Sequence, residues 1–535
     1  MLDQRSRVQA LHGRLRFWIA VALLAAPPVA LGMWAARNLH WPDDSDFFRD
    51  IAQARSFAGG NLLADPLYLG ETTWYNPLVP GIVAGLSRIT GTAIPTLYAR
   101  AGAWLNMLGP VLLALLLARL FGPPAGLVAL AVYLYGAPWG GGASTPLYSA
   151  FLYSSFFAPA LFFLTLLVFA AFPEGKRRRY VLTGLLLGLT FLAHTAPFLI
   201  LCVIFCIEAL REARRDWRGA SIRYGLLFGA AALAATPFLV SIIGHYHLTV
   251  RNPVPMQWNS RYVRWAALKQ IPDGYTIAAG VALLALLVRG PRLGRRIVGG
   301  WLAACVAFVA YTFAAAEYEW PPVVPRHHPV LYLRILQPVL LGYGACLLWS
   351  IGREWVGRPR WLTAATVEPA KWAATVGAAS MVLLWALPGC IRQAGDPPRT
   401  GLVRDSFLQS GMDAYRWMRS LRSDDVVLAT DDRALITVGP TGAKTVAVDA
   451  IYGSLYVDAG PRHRARDDMF AALRRGDEPA FEALADEYAV THVLWIMEDG
   501  PCFDNTPFRN LTVEFDNGKT RIYRRIKRQS PPIGP

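Results

Sequence analysis

Long apolar runs separated by short polar loops occupy roughly the first 400 residues of the chain. A helix of about 20 apolar residues crosses the hydrocarbon layer of a bilayer, so each run of that length predicts a membrane span. The first predicted span covers about residues 17–36. Further single spans are predicted at about 98–120, 123–139, 149–172, 223–243, 274–289, 297–316, 330–351 and 372–391.

One apolar run, at 181–207, is interrupted by His194-Thr195-Ala196-Pro197 and has basic loops on both sides. Basic loops stay in the cytoplasm. A single straight helix would place one of these loops outside, whereas a hairpin of two short helices keeps both inside and uses the proline at its turn. The pattern therefore predicts a helical hairpin, which brings the expected total to about eleven spans.

Lys and Arg are concentrated in the loops of one side, such as Lys176-Arg177-Arg178-Arg179. Their distribution predicts a multi-pass protein with its N-terminus in the cytoplasm and its C-terminus outside. We expect the protein to lie in the bacterial inner membrane. Hydrophobic residues make up 54% of the chain, and the net charge is +16. The basic loops account for that charge, so no nucleic-acid partner is expected. The 6 cysteines form no Cys-x-x-Cys pair, so neither a zinc site nor a disulfide framework is predicted.

The composition changes at about residue 402, where charged residues become frequent and apolar runs shorten to strand length. We divide the chain into a membrane module, 1–401, and a soluble α/β domain, 402–535. The fold class expected is mainly α: a transmembrane helical bundle with a C-terminal extracytoplasmic α/β domain. The predicted elements of that domain are a helix at Met412–Leu421, strands at Val426–Thr430, Thr445–Val448 and His492–Ile496, helices within 466–488, and a hairpin of Thr512–Phe515 with Thr520–Tyr523.

The long outer loop at 37–97 begins with an acidic cluster at Asp43, Asp44 and Asp46. A helix is predicted to follow at Phe47–Ala58 and to end at a Gly-Gly pair. One interpretation is that Asp43 caps this helix and that Asp46 complements its positive end. The other is that one of the three carboxylates is a general base or a ligand for a divalent ion.

The predicted outer loop at 244–273 is rich in positive charge, although Lys and Arg are usually concentrated in cytoplasmic loops. Four cations, Arg251, Arg261, Arg264 and Lys269, are interleaved there with Tyr and Trp residues. They suit an interfacial helix whose cations extend to the membrane surface. They equally suit binding of the phosphate of a lipid, because guanidinium groups make bidentate contacts to phosphate.

Arg334 lies just inside the apolar run at 330–351, with Gln337 about one turn further on. An ionisable residue within a span is a candidate functional residue, although a cation near a helix end can also reach the interface. Arg326 and His327 stand just before this span and are further candidates for phosphate binding. His194, at the tip of the predicted hairpin, is a candidate for lining the same cavity or for a structural role at the turn.

The order of motifs after the first span resembles the GT-C membrane glycosyltransferases, which include protein O-mannosyltransferases and lipid A aminoarabinose transferases. The motifs are the acidic pair Asp43-Asp44, the helix ending in Gly59-Gly60, a Leu-Ala-Asp-Pro turn and Tyr75-Asn76-Pro77-Leu78. The family's usual Asp-Glu is Asp-Asp here, and its Lys-Pro-Pro is Tyr75-Asn76-Pro77, which leaves the subfamily open. The resemblance implies that the catalytic acid is Asp43 or Asp44, or Asp46 if the aromatic residues that follow it are aligned.

The resemblance also implies an activity: transfer of a sugar from a polyprenyl-phosphate donor to a hydroxyl of a lipid, glycan or protein acceptor on the outer side of the membrane. A cation near the position of Arg334 would bind the donor phosphate. The alternative is a polytopic transporter or lipid flippase. The sequence of such a protein would contain charged residues within several spans and an inverted repeat. A binding protein whose outer domain is the working part is a third hypothesis.

Overall fold

The structure is a computed structural model that describes residues 2–42, 45–136, 148–257, 274–318, 320–321, 323–325, 327–356, 411–497 and 508–526, with residues 377, 380–381 and 384. The chain divides into two compact units. The first contains residues 1–38, 99–235 and 259–398, and the second contains residues 39–98, 236–258 and 399–535. The predicted boundary at residue 401 lies outside the described residues.

The regular secondary structure in the described part of the first unit is helical. We number the helices in chain order. Helix α1 (Leu2–Ala36) belongs to the first unit, and the next three, α2 (Asp46–Ala58), α3 (Leu78–Thr90) and most of α4 (Ile94–Arg100), belong to the second unit. The helices that follow are α5 (Gly102–Leu105), α6 (Leu108–Phe121), α7 (Pro123–Tyr135), α8 (Ser154–Ala171), α9 (Arg177–Ala193), α10 (Thr195–Ala213), α11 (Trp217–Leu239, continued by a π-helical turn to His245), α12 (Gly274–Arg289), α13 (Arg292–Glu317) and α14 (His327–Val356).

Six described helices are long and apolar enough to cross a membrane, and the bent pair α3 and α4, which turns by 112°, raises the number to up to 7. The apolar helices α7 and α12 are shorter. The chain is therefore a multi-pass membrane protein. The predicted total of about eleven spans is not confirmed, since the span expected at 372–391 lies almost entirely outside the described residues.

The helical hairpin predicted at 181–207 is confirmed, with longer arms than expected. Helix α9 ends at Ala193 and α10 begins at Thr195, so the chain breaks at His194. The hydroxyl of Tyr180, near the start of α9, lies 3.4 Å from a carboxylate oxygen of Glu212, near the end of α10. The two helices therefore run antiparallel, and both basic flanks lie at the same end of the hairpin.

Small residues allow α9 to pack closely against α11. A Cβ added at Gly184 would overlap the carbonyl group of Leu227, and one added at Gly188 would overlap that of Ala231. Two glycines four residues apart expose one face of a helix backbone, which is how membrane helices approach each other closely. Any larger residue at either position would separate the two helices.

The C-terminal part of the second unit contains a five-stranded sheet with helices. Its strands are β1 (Val426–Leu428), β2 (Lys444–Thr445), β3 (Val490–Ile496), β4 (Leu511–Asp516) and β5 (Thr520–Arg525), in the order β2-β1-β3-β5-β4. A helix at 411–418 precedes the sheet, and α16 (Ala459–Arg475) and α17 (Glu478–Glu487) lie between β2 and β3 in the chain. We number the helix at 411–418 α15.

Most predicted elements of this part are present. The predicted β-hairpin is the antiparallel pair β4 and β5, and Gly518 at its turn has a φ of 78°, which glycine adopts without strain. Strands β1, β2 and β3 pair in parallel. The strand expected at Thr445–Val448 is shorter and one residue earlier, and the helices expected within 466–488 begin at Ala459. The fold class, mainly helical with a C-terminal α/β part, is confirmed.

The first outer loop folds together with the C-terminal part, which the sequence did not predict. The backbone N–H of Thr445 in β2 donates to the carbonyl of Leu67 at 2.8 Å, and the ammonium group of Lys444 donates to the carbonyl of Asp65 at 2.5 Å. Asp65 is fully buried, and its carboxylate accepts hydrogen bonds from the N–H groups of Leu67 and Tyr68. Burial raises the pKa of Asp65 to about 6, against the opposing effect of these two donors.

Candidate active site

The acidic cluster leads into α2, whose position follows from its apolar side chains. Phe47, Phe48 and Ile51 are buried, and Phe48 stacks on Trp41 with 6.1 Å between ring centroids. The helix begins at Asp46, and the residue at its N-cap is Ser45, whose side chain forms no capping hydrogen bond. The interpretation of Asp43 as a cap stays a prediction. Asp43 and Asp44 themselves lie outside the described residues. The side chain of Asp46 is 55% exposed, so solvent or a substrate can reach it.

A buried guanidinium group lies behind Asp46. Arg49 is on the same face of α2, and its side chain is 8% exposed. One guanidinium nitrogen lies 4.0 Å from a carboxylate oxygen of Asp46 and 3.2 Å from one of Asp50. The guanidinium group also lies over the ring of Tyr75, 3.7 Å from its centroid. Arg49 thus joins two carboxylates of the helix to the Tyr-Asn-Pro segment of the same loop.

Replacing Arg49 by Gln is expected to destabilise the protein by about 3–5 kcal/mol, because the buried Asp50 carboxylate would lose its paired charge. The measurement is the unfolding transition of the purified protein in detergent. The exposed Arg419, which forms no side-chain hydrogen bond or ion pair within the described residues, provides the matched control, Arg419→Gln. Equal stability of Arg49→Gln and this control would contradict the structural role assigned to Arg49.

Arg334 in the first unit is a half-buried cation within an apolar helix. It lies two turns into α14 and makes no hydrogen bond, ion pair or ring contact with the part of the chain that the structure describes. Buried residues surround it on its own helix, at Tyr332, Ile335 and Leu336. Its predicted neighbour Gln337 is already engaged, donating to the hydroxyl of Thr276 at 2.8 Å. A cation held in apolar surroundings without a counter-charge favours binding of an anion.

Three histidines meet in the first unit at the hairpin tip and the start of α14. The rings of His194 and His328 are 4.4 Å apart, and those of His327 and His328 are 3.9 Å apart. His194 is 9% exposed, and its Nδ1 accepts a hydrogen bond from the N–H of Ala196, so it caps α10. His327 is seven residues before Arg334, which places both on one face of the helix, about 10 Å apart along its axis. The structure thus brings together His194 and His327, two of the predicted site residues.

Most of the other cations predicted to bind phosphate lie in segments outside the described residues. They are Arg261, Arg264, Lys269 and Arg326. Of the basic outer loop only its beginning is described: the side chain of Arg251 is exposed, and its N–H donates to the carbonyl of Leu455 at 2.9 Å. The phosphate-binding role of these residues stays a prediction.

Similar proteins were found only among solved structures. No protein-family model matches the chain, and no curated protein matches it in sequence. ArnT from Cupriavidus metallidurans in the apo state is similar, with a TM-score of 0.52 and 14% identity over 94% of this chain and 97% of that one. The same protein bound to undecaprenyl phosphate is similar with a TM-score of 0.51 and 13% identity, over 96% and 99% of the two chains.

The chain has the GT-C fold. The similarity to ArnT extends over nearly the full length of both chains, so it includes both the helical membrane part and the C-terminal part. The apo oligosaccharyltransferase of Archaeoglobus fulgidus is also similar, with a TM-score of 0.49 and 12% identity over 97% of this chain and 75% of that one. The similarity to ArnT confirms the GT-C fold that the motifs of the loop at 37–97 implied.

Within this GT-C fold, the described residues contain no group of three or more His, Cys, Asp or Glu side chains arranged to hold a metal ion. Two of the three candidate acids, Asp43 and Asp44, lie outside the described residues. A divalent ion at the acidic cluster, one of the two roles that the sequence left open for these acids, therefore stays a prediction.

Sequence reasoning missed two residues of these sites. Arg49 follows Asp46 by three residues in α2, and that spacing, typical of an ion pair on one helix face, was a usable signal. The second missed residue is His328. No local pattern connects it with His194, because their contact depends on how the hairpin packs against α14.

Proposed function

We propose that this protein is a membrane glycosyltransferase that transfers a sugar from a polyprenyl-phosphate donor to an acceptor hydroxyl. The observation that carries the proposal is the similarity in fold to ArnT over 96% of this chain, because that structure of ArnT holds undecaprenyl phosphate. The exposed acid at the start of α2 and the half-buried cation Arg334 are the two kinds of group that this reaction requires.

In the proposed reaction a carboxylate of the Asp43, Asp44 and Asp46 group accepts the proton of the acceptor hydroxyl. The hydroxyl oxygen then forms a bond to the anomeric carbon of the sugar, and the bond between that carbon and the phosphate oxygen breaks. The polyprenyl phosphate leaves with the bonding electrons, and the configuration at the anomeric carbon is inverted. Arg334, with the outer cations, stabilises the negative charge that develops on the phosphate.

The proposed location is the bacterial inner membrane, with the N-terminus in the cytoplasm and the C-terminal part on the outer side. The positions of the basic loops support this orientation. The acceptor would be reached from the outer side, so lipids, glycans and proteins of the cell envelope are the proposed acceptor class.

The test is to reconstitute the purified protein in liposomes with polyprenyl-phosphate sugars and to analyse the lipids by mass spectrometry. We expect free polyprenyl phosphate to appear together with a glycosylated acceptor when an envelope extract is supplied. Movement of a labelled donor between leaflets without cleavage of its sugar–phosphate bond would instead support a flippase. Neither cleavage nor movement, with tight binding of a glycan by the outer part, would support a binding protein.

A further inference from the structure

A hydroxyl of the C-terminal part contacts the residue directly before Asp46. The phenol oxygen of Tyr452 and the hydroxyl oxygen of Ser45 are 2.6 Å apart, although 407 positions separate the two residues in the chain. Both residues belong to the second unit. Tyr452 lies in a loop, Asp449–Asp458, that connects the sheet region to α16.

The side chain of Ser45 does not form the capping hydrogen bond that is expected at its position before α2. Serine at an N-cap normally accepts a hydrogen bond from an N–H group of the first helical turn. Ser45 makes no such bond, and its backbone has helical dihedral angles, φ −63° and ψ −28°, rather than extended ones. Its hydroxyl is directed to Tyr452 instead. The Ser45 hydroxyl therefore connects the start of α2 to the distant loop.

The Asp449–Asp458 loop is itself held in one conformation. The carboxylate of Asp449 accepts from the N–H of Ile451 at 2.9 Å, and its carbonyl accepts from the N–H of Tyr452 at 2.9 Å. The hydroxyl of Ser454 accepts from the N–H of Tyr456 at 3.2 Å. Such local bonds define a turn before any partner is bound. The loop can therefore act as a fixed support.

The same loop also holds the beginning of the basic outer segment. The buried Asn252 donates through its side-chain amide to the carbonyls of Ala450 at 2.8 Å and Ser454 at 3.3 Å. Its backbone N–H and that of Arg251 both donate to the carbonyl of Leu455 at 2.9 Å. One loop thus connects the acid-bearing helix with the first residues of the cationic loop.

We propose that Tyr452 is a positioning residue, which orients the start of α2 and so the carboxylate of Asp46 for the transfer reaction. This inference rests on the proposed function. It makes the C-terminal part a component of the catalytic centre rather than an independent domain. Within the second unit, the Asp449–Asp458 loop contacts both the start of α2 and the Arg251-Asn252 segment.

The test is a double-mutant cycle of Tyr452→Phe and Ser45→Ala, assayed for transfer in liposomes. Each single variant is expected to lower kcat about tenfold, as for the loss of one hydrogen bond, while KM for the donor stays unchanged. Because both variants remove the same bond, the double variant should be no slower than the slower single variant. The control is Tyr456→Phe, since the ring of Tyr456 stacks on Tyr246 and its hydroxyl forms no hydrogen bond within the described residues.

A purely structural role would lower the unfolding temperature of Tyr452→Phe without lowering kcat, and that result would overturn the proposal. A wild-type rate in Tyr452→Phe, or a double variant about a hundredfold slower, as expected of independent effects, would also overturn it. These outcomes leave the proposed function standing if asparagine variants of the acidic cluster are inactive. Full activity of all the asparagine variants would reject the proposed function itself.

Discussion

Converting Asp43, Asp44 and Asp46 to Asn, one at a time, is expected to lower the rate of glycosyl transfer by about 100- to 10,000-fold in at least one variant. That range is the usual contribution of a general base. Asn keeps the size of the side chain but cannot accept the proton of the acceptor hydroxyl. Asp46 is the only one of the three that the structure describes; it lies at the exposed start of α2 and near the guanidinium group of Arg49.

The rate is measured with purified variants in liposomes, with the exposed Asp468→Asn as control, because Asp468 makes no hydrogen bond or ion pair within the described residues. Three variants with full activity would end the proposed mechanism. Treatment with a chelator separates the two roles of the acid. If the carboxylate binds a divalent ion, activity lost to chelation returns when the ion is added back, whereas a simple base is unaffected.

Replacing Arg334 by Gln is expected to lower kcat/KM by about 100- to 1,000-fold, the usual effect of removing one group that stabilises developing charge. Arg334→Lys should retain part of the activity, because an ammonium group keeps the charge but loses the bidentate geometry of the guanidinium group. Undecaprenyl phosphate is expected to raise the unfolding temperature of the wild-type protein and to have less effect on Arg334→Gln.

The matched control for this prediction is Arg292→Gln at the exposed start of α13, because this cation has no partner in the described part of the chain either. If Arg334 merely extended to the membrane surface, Arg334→Gln would have the same kcat/KM as this control and would respond equally to the lipid. That result would remove Arg334 from the donor site.

Local sequence patterns were sufficient for elements whose physical cause is local. The break at His194 was predicted because a proline near it and basic loops on both sides leave a hairpin as the simplest arrangement. The turn at Asp516-Asn517-Gly518-Lys519 was predicted because glycine tolerates the positive φ found there. The end of α2 followed in the same way from Gly59-Gly60, because Gly60 has a φ of 95°. In each case the deciding residues are neighbours in the chain.

Contacts between distant segments could not be predicted in this way. The buried Lys444 meets the Asp65 carbonyl across 379 positions, and Tyr452 meets Ser45 across 407. Nothing in the residues near Ser45 indicates that its hydroxyl would contact a distant tyrosine.

The sequence by itself determined that this chain is a multi-pass membrane protein with a helical hairpin, an acidic loop after the first span and a C-terminal α/β part, because periodicity, charge and turn residues act over short distances. Only the tertiary structure decided that the acidic loop and the C-terminal part form one unit. It alone placed His328 against His194. Such contacts depend on how whole elements pack, since a side chain finds its distant partner only after burial has fixed both backbones.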